Sequence, residues 1–317
     1  MGKIILSAGT GGDMGEVDGF GWEVCHQTVT GAAHARSGTP NQDRVVSYEH
    51  PGWFVLALAD GHGAAKCLRS GRGAHLAVSI AAEALESLGR LAESIEGGEA
   101  DADAVGLRRA IVDRWRAGVD AELAGEPLDG DATFTALPER SRAELAANPR
   151  LAYGSTLVAA LVTPRFGLFL QLGDGDILLI DAGGGPGEVV RPVAPDARSF
   201  ANETASLSAP GDTLWSEVRA ARVAFGPGRP APGLVLLTTD GFPNAFPGDA
   251  AFDAAAGTVL SVANTDDVTA IRRRLEGWLT DATNHGSGDD VTVALAFRRG
   301  VPGGCAPRQP TEVLGFE

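Results

Sequence analysis

Apolar residues fall along this chain in two rhythms. Short unbroken runs, "GWFVLALAD", "STLVAALVT", "FGLFLQLGDGDILLIDAGGG", "GLVLLTTD" and "DDVTVALAF", read as strands buried on both faces. "WEVCHQTVTG" (22–31) alternates like a half-buried strand, and "RVVSYEH" is a further strand joined to the next through Pro51-Gly52. Helical spacing takes over from Ala64 to about Ile95, through Leu68, Leu76, Ile80, Ala84, Leu88 and Leu91. It returns over 107–123, with Ile111, Trp115 and Val119 on one face, and over 268–285, with Val268, Ile271, Leu275, Trp278 and Leu279. Residues 31–44 read as loop, 125–150 as loop with a short helix, and 182–232 mostly as loop, with "ANETASLSA" its most ordered piece. The "GDGD" between two apolar runs predicts a hairpin or tight corner.

The order of strands, long helices, strands, helix and strand has few strand–helix–strand units. It predicts an α+β fold, antiparallel sheets covered by helices, rather than a doubly wound parallel sheet. Residues 21–299 form one expected domain, between a flexible glycine-rich segment (1–20) and a disordered tail (300–317). The net charge of −15 argues against nucleic acid, which needs a basic stripe. Cys25, Cys67 and Cys305 form no Cys-x-x-Cys pair, so a reducing cytoplasm is expected. The apolar patch near the N-terminus is too short for a signal-peptide core, and no run approaches a membrane span.

The strands share one chemical feature. Asp60 ends "FVLALAD", Asp240 ends "LVLLTTD", Asp174 sits in the corner after "LFLQLG", Asp289 stands just before "VTVALAF", and Asp43 precedes "RVVSYEH". Singly, each is an ordinary turn or cap residue. Jointly, they point to strand ends converging on one acidic cleft. Clustered carboxylates repel unless cations hold them, and oxygen-only ligands favour Mg²⁺ or Mn²⁺.

In chain order, "NQDRV", "ADGHG", "GSTLVAALV", "LGDGDILLI", "LLTTDGF" and "DDVTVALAF" resemble the motifs of the metal-dependent Ser/Thr protein phosphatases, protein phosphatase type 2C. The resemblance runs from Gly31 to Phe297. It implies a four-layer α-β-β-α sandwich of two antiparallel sheets flanked by helices. It also implies two Mn²⁺ or Mg²⁺ ions with Asp60 between them, Asp240 and Asp289 completing one site, and Asp43 and the Gly61 carbonyl serving the other. A third, looser cation would lie beside Asp174. Water shared by two metals would attack the phosphorus of phosphoserine or phosphothreonine, and His62 would protonate the leaving oxygen. Phosphorylated proteins, a cognate Ser/Thr kinase or its targets would be the partners.

Three departures bear on the substrate. Gly38 stands five residues before Asp43, where the family usually carries a phosphate-gripping arginine; His34 and Arg36 are the nearby candidates. Gly175 and Asp176 replace the usual Ser and Arg, and Asp290 replaces an Asn, adding negative charge. A pseudophosphatase acting as a binding module, and a two-metal hydrolase of small phosphoesters, are the rival readings.

Overall fold

A strand apolar on both faces needs a layer on each side, and the chain supplies them. The structure, a computed structural model, describes residues 3–4, 21–94, 104–181, 188–194, 204–226 and 228–298. In chain order the strands are β1 (Lys3–Ile4), β2 (Trp22–Val29), β3 (Arg44–His50), β4 (Trp53–Ala59), β5 (Leu157–Val162), β6 (Phe166–Leu172), β7 (Asp176–Ile180), β8 (Val189–Val190), β9 (Arg219–Ala224), β10 (Leu234–Thr238) and β11 (Val291–Arg298). The helices are α1 (Ala32–Ser37), α2 (Ser70–Ser94), α3 (Ala104–Gly125), α4 (Ala132–Ala136), α5 (Glu139–Ala147), α6 (Asp249–Ala263) and α7 (Val268–His285).

One sheet runs β1-β3-β4-β5-β6-β9 and the other β2-β11-β10-β7-β8, with every pairing antiparallel. Phe54, Leu56 and Leu58 of β4 pack with Val158, Leu237 and Ala294 between the sheets. Val55, Ala57 and Ala59, on the other face of β4, pack beneath α2 and α3. The far side of the second sheet is covered by α6 and α7 through Phe252, Val259, Leu275 and Leu279. The expected four layers are present. The inter-sheet layer is dry and close-packed, so Leu58→Ala would lose roughly 2–5 kcal/mol.

The α7 boundaries match the periodicity. The Asp267 side chain caps it by accepting from the Ala270 N–H at 2.8 Å, and Ile271, Leu275 and Leu279 form its buried stripe. Elsewhere the structure differs from expectation. α2 begins at Ser70, because 64–69 is a turn held by Cys67 N to Ala64 O and Arg69 N to Ala152 O, both at 2.7 Å. α1 lies in the expected loop, strapped to the start of β11. The 125–150 stretch holds two short helices. The stretch read as mostly loop holds β9, an edge strand on β6. α6 is an addition, since its alanines give little contrast between faces. "GDGD" is a tight corner but not a hairpin: it carries the chain from one sheet to the other. Lys3 and Ile4, within the segment read as flexible, pair with Glu49 and Tyr48. The rest of that segment and the 300–317 tail lie outside the described residues, as do 201–203 of "ANETASLSA".

Candidate active site

The antiparallel register brings the aspartate-bearing ends to one edge of the sandwich. Asp60 leaves the end of β4, and Thr156 holds it from both sides: the Asp60 N–H donates to Thr156 Oγ1 at 3.0 Å, and the Thr156 N–H donates to the Asp60 carbonyl at 2.9 Å. Burial pushes the Asp60 carboxyl well above the usual carboxylate range, and Asp43, Asp240, Asp289 and Asp174 push it further. Those four neighbours are the other aspartates read from the sequence, so the structure brings all five into one electrostatic group.

Asp43 is buried, and it crosses between the sheets. Its Oδ2 accepts from the Thr239 hydroxyl at 2.7 Å, and Thr239 Oγ1 accepts from the Thr292 N–H at 3.0 Å. Its Oδ1 is buried with no hydrogen-bond partner. Burial raises its pKa to about 7, against the hydrogen bond from Thr239. Asp240 is also raised to about 7, by burial first and then by Asp174, Asp289 and Asp43. Asp174 is exposed, and its Oδ2 accepts from the Thr204 hydroxyl at 2.7 Å. The Asp289 side chain is 52% exposed. Gly61 is buried where a Cβ would lie 2.7 Å from the Ser70 carbonyl carbon and 2.9 Å from the Gln42 oxygen, so only glycine fits.

The donor set is all oxygen, one buried oxygen is orphaned, and among the described residues no lysine or arginine pairs with any of the five aspartates. Those observations fit hard divalent cations. Among the described residues no three His, Cys, Asp or Glu side chains stand close enough to grip one ion. The Asp43 and Asp60 carboxyls stand within reach of each other, and Asp174, Asp240 and Asp289 act on Asp60 through their charge.

His62 packs beside this rim. Its backbone N–H donates to the Gly154 carbonyl at 3.1 Å, and a Cβ on Gly154 would come within 2.7 Å of the ring Cδ2. Burial lowers its pKa, with Asp174 opposing. His34 lies on α1, half-buried, with Nδ1 3.0 Å from Asp290 Oδ1 and Nε2 3.9 Å from Asp289 Oδ1. Arg36, two residues on, is exposed. Asp176 is taken up elsewhere: Arg191 ties it to Asp253, with 2.8 Å contacts to each.

Sequence reasoning passed over the hydroxyls. Thr156, Thr239 and Thr292 each stand within three residues of a quoted Asp or Gly, in "GST", "TTD" and "DDVT"; that recurrence was the available signal. A cavity of about 140 Å³ lined by Trp22, Glu49, His50 and Trp53 lies at the other end of β4, about 20 Å from Asp60 by strand rise.

The family model described as protein phosphatase 2C matches residues 30–280. The chain belongs to that family. Protein phosphatase 2C enzymes are protein-serine/threonine phosphatases. The fold resembles the S. agalactiae serine/threonine phosphatase, with TM-score 0.52, 16% identity, and 87% of this chain and 99% of that chain covered. It also resembles the Mycobacterium tuberculosis phosphatase PstP/Ppp, with TM-score 0.50, 18% identity, and 88% and 99% covered. No curated protein matches in sequence. Both structural likenesses speak for the fold. Among the described residues no helix is long and apolar enough to cross a membrane.

Proposed function

We propose that this chain is an active phosphoprotein phosphatase, hydrolysing phosphoserine and phosphothreonine at the aspartate rim in a reaction that requires Mn²⁺ or Mg²⁺. The observation that carries this is the convergence of Asp43, Asp60, Asp174, Asp240 and Asp289 from both sheets, with Asp60 raised by the other four.

Asp60, Asp240 and Asp289 would hold one cation, Asp43 and the Gly61 carbonyl a second, and Asp174 would help hold a third. Bound there, divalent cations would supply an activated water and neutralise charge developing on the phosphoryl group. The protein's own residues do the remainder. Thr156 and Thr239 fix Asp60 and Asp43, so little reorganisation is needed when phosphate arrives. The His62 imidazolium donates its proton to the departing seryl or threonyl oxygen. Its lowered pKa makes it a stronger acid and leaves less of it charged at neutral pH. His34 would face the substrate phosphate in place of an arginine. The substrates would be targets of a cognate Ser/Thr kinase.

The test is hydrolysis of a phosphothreonine peptide and of nitrophenyl phosphate with Mn²⁺, with Mg²⁺ and with chelator. Turnover of both with either cation, abolished by chelation, is expected. Full activity after exhaustive chelation would refute the reading. Cleavage of nitrophenyl phosphate alone would make the chain a hydrolase of small phosphoesters.

A further inference from the structure

Asp290 looks at first like one more carboxylate in an overloaded rim. Its contacts say otherwise. It is buried, it accepts two backbone N–H groups, and the His34 ring stands beside it. Oδ1 accepts from the Gly31 N–H at 2.7 Å, Oδ2 accepts from the Gln42 N–H at 2.7 Å, and His34 Nδ1 lies 3.0 Å from Oδ1. An ionised carboxylate accepts at both oxygens, whereas an asparagine amide offers one oxygen and turns an NH₂ donor toward the other site. With backbone N–H groups on both sides, an amide here would set donor against donor. The acid is therefore specific to this arrangement.

The same contacts anchor α1. Gly31 N–H is held by Asp290, Ala32 N–H by Thr283 Oγ1 at 2.7 Å, and Ala33 N–H by the Gly288 carbonyl at 2.9 Å. α1 is thus fixed against the start of β11, which places the His34 ring beside Asp290. Nδ1 lies 3.0 Å from Asp290 Oδ1 without the alignment of a hydrogen bond, and because the carboxylate can only accept, a slight turn of the ring with hydrogen on Nδ1 would complete the pair. Nε2 is left for the rim: it lies 3.9 Å from Asp289 Oδ1 and 3.9 Å from where a Cβ of Gly63 would stand, beside the "DGHG" turn.

We infer that Asp290 is a positioning residue that orients His34, and that His34, held by this pair, binds the substrate phosphate through Nε2. The pair takes over the work of the missing arginine, with Nδ1 toward Asp290 and Nε2 toward a phosphate oxygen. The replacement of Asn by Asp and the loss of arginine are then one change rather than two. This rests on the phosphatase reading above.

The experiment uses the full chain, ¹⁵N-labelled in histidine, with Mg²⁺ and inorganic phosphate as the probe. His34 is assigned by the signal lost in His34→Gln. The wild-type ring should carry hydrogen on Nδ1, and its Nε2 resonance should move when phosphate is added. Asp290→Asn should abolish both behaviours. With a phosphothreonine peptide, His34→Gln and Asp290→Asn should each raise KM about ten-fold, as expected for losing a charged hydrogen bond, with kcat changed less. The double variant should be no worse than either single one. Single effects that multiply in the double variant, or a KM effect carried by Arg36→Ala instead, would overturn the pair. If Asp290→Asn fails to fold, the wild-type spectra decide alone: a bare Nδ1, or a ring blind to phosphate, overturns the inference. A chain that binds phosphate at His34 but turns over no peptide would defeat the phosphatase reading and leave the pair standing.

Discussion

Asp240→Asn should make the protein more stable, not less, when divalent cations are chelated. Burial and the charges of Asp174, Asp289 and Asp43 raise the Asp240 carboxyl from its ordinary 3.8 to about 7 in the folded chain. A carboxyl raised in this way opposes folding once it is ionised. The opposition starts near the unfolded value, grows as pH rises, and is complete above the folded one. At 1.36 kcal/mol per unit it reaches at most about 4 kcal/mol. Solvent on the open side of the rim reduces this to about 1–2 kcal/mol. Asparagine keeps an oxygen for the Asn244 amide, which donates to Asp240 at 3.0 Å, and removes the charge. Thermal unfolding in chelator at about pH 8 should therefore show the variant a few degrees above wild type, on a scale of about 2–4 °C per kcal/mol. At about pH 5.5 the gap should shrink to roughly half. Adding Mn²⁺ should reverse the order, because a ligand held only by the folded state stabilises wild type by about 2.7 kcal/mol at a hundred times its Kd. A variant less stable than wild type in chelator at the higher pH would show that Asp240 supports the fold, and the argument for a repelling cation site would fail.

Other outcomes follow from the same geometry. His62→Gln should slow a phosphothreonine peptide by about 100-fold or more and nitrophenyl phosphate far less, because nitrophenolate leaves without a proton; equal losses would assign His62 to positioning. Gly154→Ala places a methyl 2.7 Å from His62 Cδ2, so it should reproduce the His62→Gln pattern while circular dichroism and cation-induced stabilisation stay near wild type; unchanged peptide turnover would show that the ring has other room. His26, lowered to about 4 by burial and Arg272, should reduce stability as pH falls from about 6.5 toward that value, by at most about 3 kcal/mol. Denaturant midpoints of His26→Gln should fall less than those of wild type over that range, and parallel curves would place the ring in solvent.

The layers were legible because burial on both faces leaves unbroken apolar runs, and β4, β10 and β11 are such runs. α7 was legible to the residue because charge and apolarity alternate around it and Asp267 caps it. β9 was not, since an edge strand shows its arginines outward: Arg222 lies over the Phe166 ring at 4.6 Å and only Val223 is buried. α6 hid in alanine, which packs inside and outside a helix alike. At the site, the five aspartates stood out by their place at strand ends. The roles of Thr239 and Asp290 did not, because each depends on a partner far away in sequence: Thr239 reaches Asp43, and Asp290 reaches Gly31.

Asp43 and Asp60 hang from one sheet and Asp240 and Asp289 from the other, so the gap between them is set by whatever fills the space between the sheets. Leu58, Val158 and Leu237 act as a gauge block between the jaws of a caliper. None of them meets a substrate, yet their thickness sets how far apart the carboxylates stand. If the rim holds cations as proposed, a methylene added or removed there would be a fine adjustment of their fit, reached from the buried interior without altering a single group at the rim.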